Sequence, residues 1–315
     1  MTEPAEFITV YDAQGRPAKV NRTFWATDVL PATLAREWDN PERLSALITA
    51  SLRDGFSSEL RGAALRLQQI DPDPYETVVL RAVIELRAHE PVEAERILRE
   101  FLEEHPPSGL ILTNLAKAQA SQDRNEESEA TLVQAIALDP NQENGLDWLM
   151  AIHRERGGEA AVDPVLEELS RRPGAWRPQL WLARGALGRG DISEALDLYR
   201  SALPSVGADG NGLMQISGDL GKAGRPADAV ELVLPLYDPM QHGLPTGLNL
   251  INALMELDRL PDADAVAACM KALASPPNTS FFVELNRKLA LAHAKETGRS
   301  RTLGWIRRKP RGHRS

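Results

Sequence analysis

The chain has 315 residues and a formal net charge of −9, with 45 acidic and 36 basic residues. Its 43% hydrophobic content is that of a globular protein with a sizeable core, and its acidity argues against nucleic-acid binding by the whole body. No run approaches the ~18 apolar residues that a membrane-spanning helix needs, and residues 1–9 do not resemble a signal peptide. These features predict a cytoplasmic protein that does not enter a membrane.

Residues 1–40 are predicted to contain a small β-hairpin. Residues 7–11 (FITVY) and 18–21 (AKVN) are typical of short strands, and residues 12–17 (DAQGRP) between them are typical of a turn. An isolated hairpin is only marginally stable in water. We therefore expect it to pack on the first helices of the chain.

Three aromatic residues near the hairpin are candidates for that contact: Phe24, Trp25 and Trp38. Residues 30–38 are predicted to form a short capping helix. Pro31 is compatible with it, because proline is tolerated in the first turn of a helix.

Residues 109–142 contain a helical pattern with a break in the middle. The first half has Leu112, Leu115 and Ala116 at helical spacing, and residues 122–125 form a polar break. The second half has small or apolar residues three or four positions apart, namely Ser128, Leu132, Ala135 and Leu138. Asp139-Pro140 follows, and proline ends a helix because it lacks an amide hydrogen.

The same pattern recurs along the chain. Small or medium-sized residues recur at a spacing of about 34 residues, at Leu60, Ala94, Ser128, Ala161, Ala195, Ala229 and Ala263. Prolines close most of the units, at Pro72, Pro106, Pro140, Pro173, Pro239 and Pro276. This period, with a small residue in the second helix and a closing proline, resembles the tetratricopeptide repeat family; residues 188–203 (GRGDISEALDLYRSAL) are the nearest to its consensus.

The resemblance implies an all-α fold, a right-handed superhelical solenoid of about seven helix pairs over residues 41–278. The pairs are expected at 41–74, 75–108, 109–142, 143–175, 176–209, 210–243 and 244–277. The fourth is one residue short near Gly157-Gly158, and its register is left open. One pair cannot bury its apolar face alone, so stacking of neighbours must close the core.

The end of the chain is predicted to hold a capping helix and a basic tail. In residues 279–298, Phe282, Leu285, Leu289 and Ala292 form one helical face that would cover the last pair. From Lys295 onward there are eight basic residues and one acid, a net charge of +7, which leaves −16 on residues 1–294. Residues 299–315 are predicted to be a disordered solubilising tail; the alternative is a polyanion-binding or RNA-binding segment.

No motif for catalysis, cofactor binding or metal binding is present, and the chain is predicted not to be an enzyme and to need no cofactor. Phosphate-binding loops, dinucleotide-binding glycine motifs, His-Glu-x-x-His and the Gly-x-Ser-x-Gly elbow are missing from the sequence. His153 is interpreted as a packed or capping residue at a helix end. The single cysteine, Cys269, lies between Ala268 and Met270 and is predicted to be a buried, unreactive thiol.

In tetratricopeptide proteins the first helices of successive pairs line a concave surface, and the resemblance implies the same here. First-helix residues that the core does not need are then candidates for partner binding. These are Asn114, Lys117, Asp147, Trp148, Arg154, Trp181, Arg184, Gln215, Lys222, Asn249 and Asn252. Amide and guanidinium groups suit the backbone and carboxylates of a peptide, although Trp148 and Trp181 fall near a position that is more often core.

The predicted function is that of an adaptor or scaffold that binds a partner peptide or protein in this groove, as a chaperone-associated or regulatory subunit. Some members of the family clamp acidic chaperone peptides with lysine, asparagine and arginine on three first helices. Asn114, Lys117 and Arg184 match that clamp only in part, because Asn144 lies near the start of the intervening helix. The clamp is therefore not assigned. Nucleic acid is expected as a partner only through the basic tail.

Overall fold

The computed structural model describes residues 6–11, 17–207, 210–275 and 278–307. The chain divides into two compact units, unit 1 (Met1–Gly157) and unit 2 (Gly158–Ser315). Within the described residues, unit 1 holds a hairpin and nine helices, and unit 2 holds eight helices besides short 3₁₀ segments.

The predicted hairpin is confirmed. Strands β1 (Phe7–Tyr11) and β2 (Pro17–Asn21) pair in antiparallel fashion, with Phe7 opposite Asn21. Pro17 is thus the first residue of β2 rather than part of the turn, and residues 12–16 of the predicted turn lie outside the described part of the chain.

The hairpin packs on the first helix pair through apolar side chains, and Arg22, which directly follows β2, adds polar contacts. The Arg22 guanidinium donates to the carbonyl oxygens of Asp54 and Gly55, at 2.8 Å each, and its carbon lies 4.3 Å from the centre of the Phe56 ring. Ile8 is buried in the same apolar cluster, which Trp25 also contacts.

Two of the three aromatic residues that were predicted to make this contact are exposed: Phe24 is 54% and Trp38 is 37% exposed. Helix α1 (Arg22–Phe24) continues through a π-helical turn (Trp25–Val29) into α2 (Leu30–Arg36). Phe24 is exposed within this continuous helical segment, and Trp38 lies beyond its last residue. Of the three aromatic residues, Trp25 contacts the apolar cluster.

Unit 1 continues with three helix pairs and one further helix. They are α3 (Pro41–Arg53) with α4 (Arg61–Ile70), α5 (Pro74–Arg87) with α6 (Pro91–Glu104), α7 (Gly109–Ala120) with α8 (Asn125–Leu138), and α9 (Glu143–Gly157). A 3₁₀ turn, Ser58–Leu60, leads into α4.

Side-chain caps explain where the first helices of these pairs begin. Asn40 accepts a hydrogen bond from the Arg43 amide at the start of α3, and Ser108 accepts one from the Ile111 amide at the start of α7. Asp73 caps α5 by accepting from two amides. These residues satisfy amides that the first turn of a helix leaves without partners.

Unit 2 contains the remaining elements in the same alternation. They are α10 (Val162–Ser170), α11 (Arg177–Arg189), α12 (Ile192–Val206), α13 (Gly210–Lys222), α14 (Pro226–Val233), α15 (Pro239–Glu256), α16 (Leu260–Met270) and α17 (Thr279–Arg307). Short 3₁₀ segments precede α10 and extend α14 and α16. In α15, Gly243 has a φ of 67° and interrupts the helix, which is a conformation that glycine adopts without strain.

Two helices occur in each of the seven predicted repeat ranges, and the division between the units falls inside the fourth range. In unit 2, α17 covers the last pair, because Leu285 and Leu289 are buried in that unit's core. This helix ends at Arg307 rather than at 298. Residues 308–315 of the predicted tail lie outside the described part of the chain.

The small residues of the repeat lie where paired helices meet. Six of the seven are at most 2% exposed, and Ala161 is half-buried. The Ser128 hydroxyl on α8 donates to the Ala116 carbonyl oxygen on α7 at 2.8 Å. At the alanine and serine positions, a side chain with one or two heavy atoms therefore permits a close approach between helices; Leu60, in the 3₁₀ turn before α4, is the larger exception.

The prediction of a buried Cys269 is wrong, because its side chain is exposed. The buried positions of α16 are Ala263, Val266, Ala267 and Met270, three or four residues apart. Cys269 directly precedes Met270 and so points about 100° away from it around the helix. Of its two neighbours in sequence, Met270 lies on the buried face, whereas Ala268 is exposed like Cys269.

We expect Ala263→Leu to destabilise unit 2 by about 1–3 kcal/mol, because Ala263 is fully buried in a packed core and has no room for three added carbons. Chemical denaturation with circular dichroism measures the free energy of unfolding. Ala265→Leu, at an exposed position of the same helix, is the matched control and should change stability by less than about 0.5 kcal/mol. Equal stabilities of the two variants would contradict the close-packing argument.

Candidate functional site

A concavity of about 510 Å³ lies between α5, α7 and α9 in unit 1. We call it the α5–α7–α9 concavity. Its walls come from the first helices of successive repeats and from the residue that ends α7, and are formed by Val83, Leu86, Arg87, Asn114, Lys117, Ala120, Ser121, Asn144 and Trp148. None of these residues is acidic.

Two positive charges lie at this concavity without a negative partner. Arg87 is the last residue of α5 and is exposed, and Lys117 on α7 is half-buried. Neither forms an ion pair within the described ranges. Burial, and then the positive charge of Arg87, lower the pKa of the Lys117 amine below its usual value. A bound anion would favour the charged amine and so counter this lowering of the pKa.

The rest of the concavity offers aromatic, apolar and amide surface. Trp148 on α9 is half-buried, as are Val83 and Leu86 on α5, and Asn144 is exposed. Tryptophan and arginine are frequent hot spots of protein interfaces because each combines a large contact area with a polar group. The arrangement is suited to binding a ligand that has both apolar and anionic groups.

Among the sequence-predicted residues in unit 1, Lys117 and Trp148 lie at this concavity with their side chains partly exposed. Asn114 also borders it but is 4% exposed, and its amide donates to the Leu110 carbonyl oxygen at 2.9 Å within α7. Asp147 and Arg154 are exposed on α9 and do not line the concavity.

The sequence-predicted residues in unit 2 contact other side chains of that unit. Arg184 donates to the Asp219 carboxylate at 3.0 Å and to the Gln215 side-chain oxygen at 3.4 Å. The buried Tyr199 hydroxyl also donates to Asp219, at 3.3 Å. Burial, and then the nearby Asp219 charge, raise the pKa of Tyr199 well above its usual value. This cluster joins α11, α12 and α13.

The other predicted residues of unit 2 differ in their surroundings. Asn249 donates to the Ser217 hydroxyl at 3.0 Å, and the Asn252 side-chain oxygen accepts from Lys288 on α17 at 2.5 Å. Trp181 packs against the unit's core, and Lys222 is exposed. The side chains of Asn249 and Asn252 therefore link neighbouring helices. Their residue type alone does not distinguish this structural role from partner binding.

The α5 residues of the concavity were missed by the sequence analysis, although the period contains the signal for one of them. Val83 lies one repeat before Lys117, and Asn114 lies one repeat before Trp148. Equivalent positions of successive first helices thus lie on the same surface. The position one repeat before Lys117 is Val83, so the period alone identifies Val83 as a candidate. It does not identify Arg87, because the equivalent residue one repeat later is Ser121, which is uncharged and was not a candidate.

Repeated helix pairs, buried small residues and a surface shared by successive first helices define the architecture. The chain folds as an all-α helical repeat whose pairs resemble tetratricopeptide repeats in period. No protein-family model matches it, and no curated protein sequence matches it.

Several solved tetratricopeptide structures are similar at low sequence identity. One from Parabacteroides merdae is 13% identical, with 80% of this chain and 98% of that chain covered and a TM-score of 0.35. PilF of Pseudomonas aeruginosa is 17% identical, with coverages of 68% and 97% and a TM-score of 0.37. The yeast Sti1 TPR2AB domain in complex with an Hsp90 peptide is 13% identical, with coverages of 79% and 98% and a TM-score of 0.32.

Within the described ranges, no group of three or more His, Cys, Asp or Glu side chains could hold a metal ion. In the part of the chain that the structure describes, no helix combines the length and the apolar character that crossing a bilayer requires.

We expect Arg87→Gln to raise the pKa of the Lys117 amine, because the substitution removes a like charge while burial of the lysine remains. Titration of the lysine side chains by NMR measures this pKa. Arg53→Gln, at an exposed position of α3 outside the concavity, is the control and should leave it unchanged. An unchanged pKa in Arg87→Gln would show that the two charges do not interact.

Proposed function

We propose that the chain is an adaptor that binds a segment of another protein in the α5–α7–α9 concavity. The observation behind this proposal is the pair Arg87 and Lys117, two cations that have no acidic partner among the described residues and lie beside the partly exposed ring of Trp148. A half-buried lysine next to an arginine costs free energy in the unbound protein. An acidic side chain or a terminal carboxylate of a partner would offset that cost.

A protein segment fits this surface better than a small metabolite. The concavity is open and combines apolar, amide and guanidinium groups, which are the groups that recognise side chains and backbone amides of peptides. It is also built from three successive repeats, and repeat proteins bind extended partners along such surfaces.

The proposal concerns only part of the sequence-predicted groove. It relies on Lys117 and Trp148 and adds Arg87 and Asn144. In unit 2, Arg184, Asn249 and Asn252 make internal hydrogen bonds, so their role in partner binding stays a prediction. A role as a chaperone-associated or regulatory subunit also stays a prediction.

Affinity capture from the native source tests the proposal. We expect the triple variant Arg87→Ala/Lys117→Ala/Trp148→Ala to recover at least about tenfold less of the specific partner than the unaltered protein, since buried aromatic and cationic contacts dominate interface affinity. Quantitative mass spectrometry compares the captured proteins, and reciprocal capture with the tagged partner verifies the pair.

The matched control removes the same residue types from another part of unit 1. Lys19→Ala/Arg53→Ala/Trp38→Ala changes three side chains that do not line the concavity. It should retain the partner. Equal partner recovery by the two triple variants and the unaltered protein would contradict the proposed binding surface.

The second candidate is a polyanion-binding scaffold that acts through the basic tail. It is favoured by the charge asymmetry, +7 from residue 295 onward against −16 before it. If this function is correct, removal of residues 299–315 should abolish low-salt binding of a fluorescent oligouridine, and added salt should weaken binding by the full chain. The core residues of α17, Leu285 and Leu289, precede the deletion. No binding by the full chain at low salt would exclude this function.

A further inference from the structure

A second concavity of about 260 Å³ adjoins the first in unit 1. Val83 lines both of them, so the two are adjacent along α5. We call the second one the α3–α5 concavity, and the two together the unit 1 groove. The α3–α5 concavity is lined by Ser45, Thr49, Leu67, Asp71, Glu76, Thr77, Val79, Leu80, Val83 and Leu110.

The two ends of the unit 1 groove have opposite charge. Arg87 and Lys117 lie in the α5–α7–α9 concavity, whose lining residues include no acid. Asp71 and Glu76 lie in the α3–α5 concavity, whose lining residues include no base. Glu76 is exposed and forms no ion pair among the described residues. One oxygen of the Asp71 carboxylate accepts a hydrogen bond from the Asp73 amide. Glu76 at one end, and Arg87 and Lys117 at the other, are thus available to a partner.

The distance between the ends follows from helix geometry. Glu76 lies in the first turn of α5, and Arg87 is its last residue. Eleven residues at about 1.5 Å each separate them by roughly 16 Å along the helix axis. An extended peptide covers this distance in about five residues, and a helical peptide in about eleven.

The middle of the unit 1 groove is apolar. Val79, Leu80 and Val83 are half-buried along α5, and Leu110 on the neighbouring helix is 38% exposed. An apolar partner residue would remove this surface from water, which is favourable by about 25 cal/mol per Å². Apolar contacts would supply affinity, and the charges would fix the orientation of the bound segment.

We infer that the occupant of the unit 1 groove is a dipolar protein segment, with an acidic group at one end, apolar residues in the middle and a basic group at the other end. The acidic group lies against Arg87 and Lys117, and the basic group against Asp71 and Glu76. A nucleic acid does not fit this pattern, because Asp71 and Glu76 would repel its phosphates. This inference rests on the proposed function and adds the chemistry and orientation of the partner.

Selection from a displayed library of random 12-residue peptides against the intact, immobilised protein tests the inference. We expect enrichment of peptides with an acid and a base separated by apolar residues, at a spacing that spans roughly 16 Å, the axial distance between the two ends of α5. Against Arg87→Glu/Lys117→Glu, the enriched peptides should carry bases at both ends. The peptides selected on the unaltered protein should bind this variant at least about tenfold more weakly.

A steric variant separates failure of the inference from failure of the proposed function. Val83→Trp fills the point that the two concavities share, and Val92→Trp, at a position of α6 that is 67% exposed, is the matched control. Thermal melting of each variant checks that the fold is retained, since Glu76 and Arg87 also favour α5 through the helix dipole.

The outcomes are distinct. Selected peptides that carry an acid but no base, and that lose binding to Val83→Trp and to the charge-reversed variant, would overturn the dipolar inference and leave the proposed function intact. No enriched peptides, peptides that bind the charge-reversed variant as well as before, or peptides that bind Val83→Trp as well as Val92→Trp, would overturn both. Peptides with an acid and a base that lose binding to Val83→Trp and to the charge-reversed variant, but not to Val92→Trp, support both.

Discussion

The fold depends on the close approach of two helices at a small side chain. At Ala94, Ala195 and Ala229 the second helix of a pair presents a methyl group to its neighbours, and at Ser128 it presents a hydroxyl that also donates to the facing helix. Dispersion contacts need heavy atoms within about 4 Å. The period of about 34 residues therefore reflects a steric requirement, namely one small side chain where the two helices of a pair meet.

This requirement also decides which side chains are available for binding. Packing uses one stripe of each first helix and leaves the remaining positions open to other uses. In unit 2 several of these positions join adjacent helices, as Arg184 and Asp219 do across α11 and α13. In unit 1 the open positions include Arg87 and Lys117, which have no such partner among the described residues. The same repeat architecture thus supports ion pairs between helices in one unit and an exposed cationic surface in the other.

The helix pairs could be predicted from sequence because each of their determinants is local. Helical spacing, small residues and closing prolines all act within a single repeat, and the hairpin follows from its two strand-like runs. The surroundings of individual side chains could not be predicted in this way. Asp219 belongs to the repeat after that of Arg184, and Asn114 satisfies its amide on the helix it belongs to. Exposure of Cys269 depends on which face of α16 packs against the core. The apolar residues around it in sequence do not indicate that face.

The half-buried position of Lys117 has a chemical consequence. A lysine amine reacts with acylating reagents only in its unprotonated form, and a lowered pKa increases the fraction of that form near neutral pH. Lys117 should therefore be acylated more readily than it would be on an exposed helix face. Because the side chain borders the concavity, protection from acylation would give a direct chemical footprint of any molecule bound there.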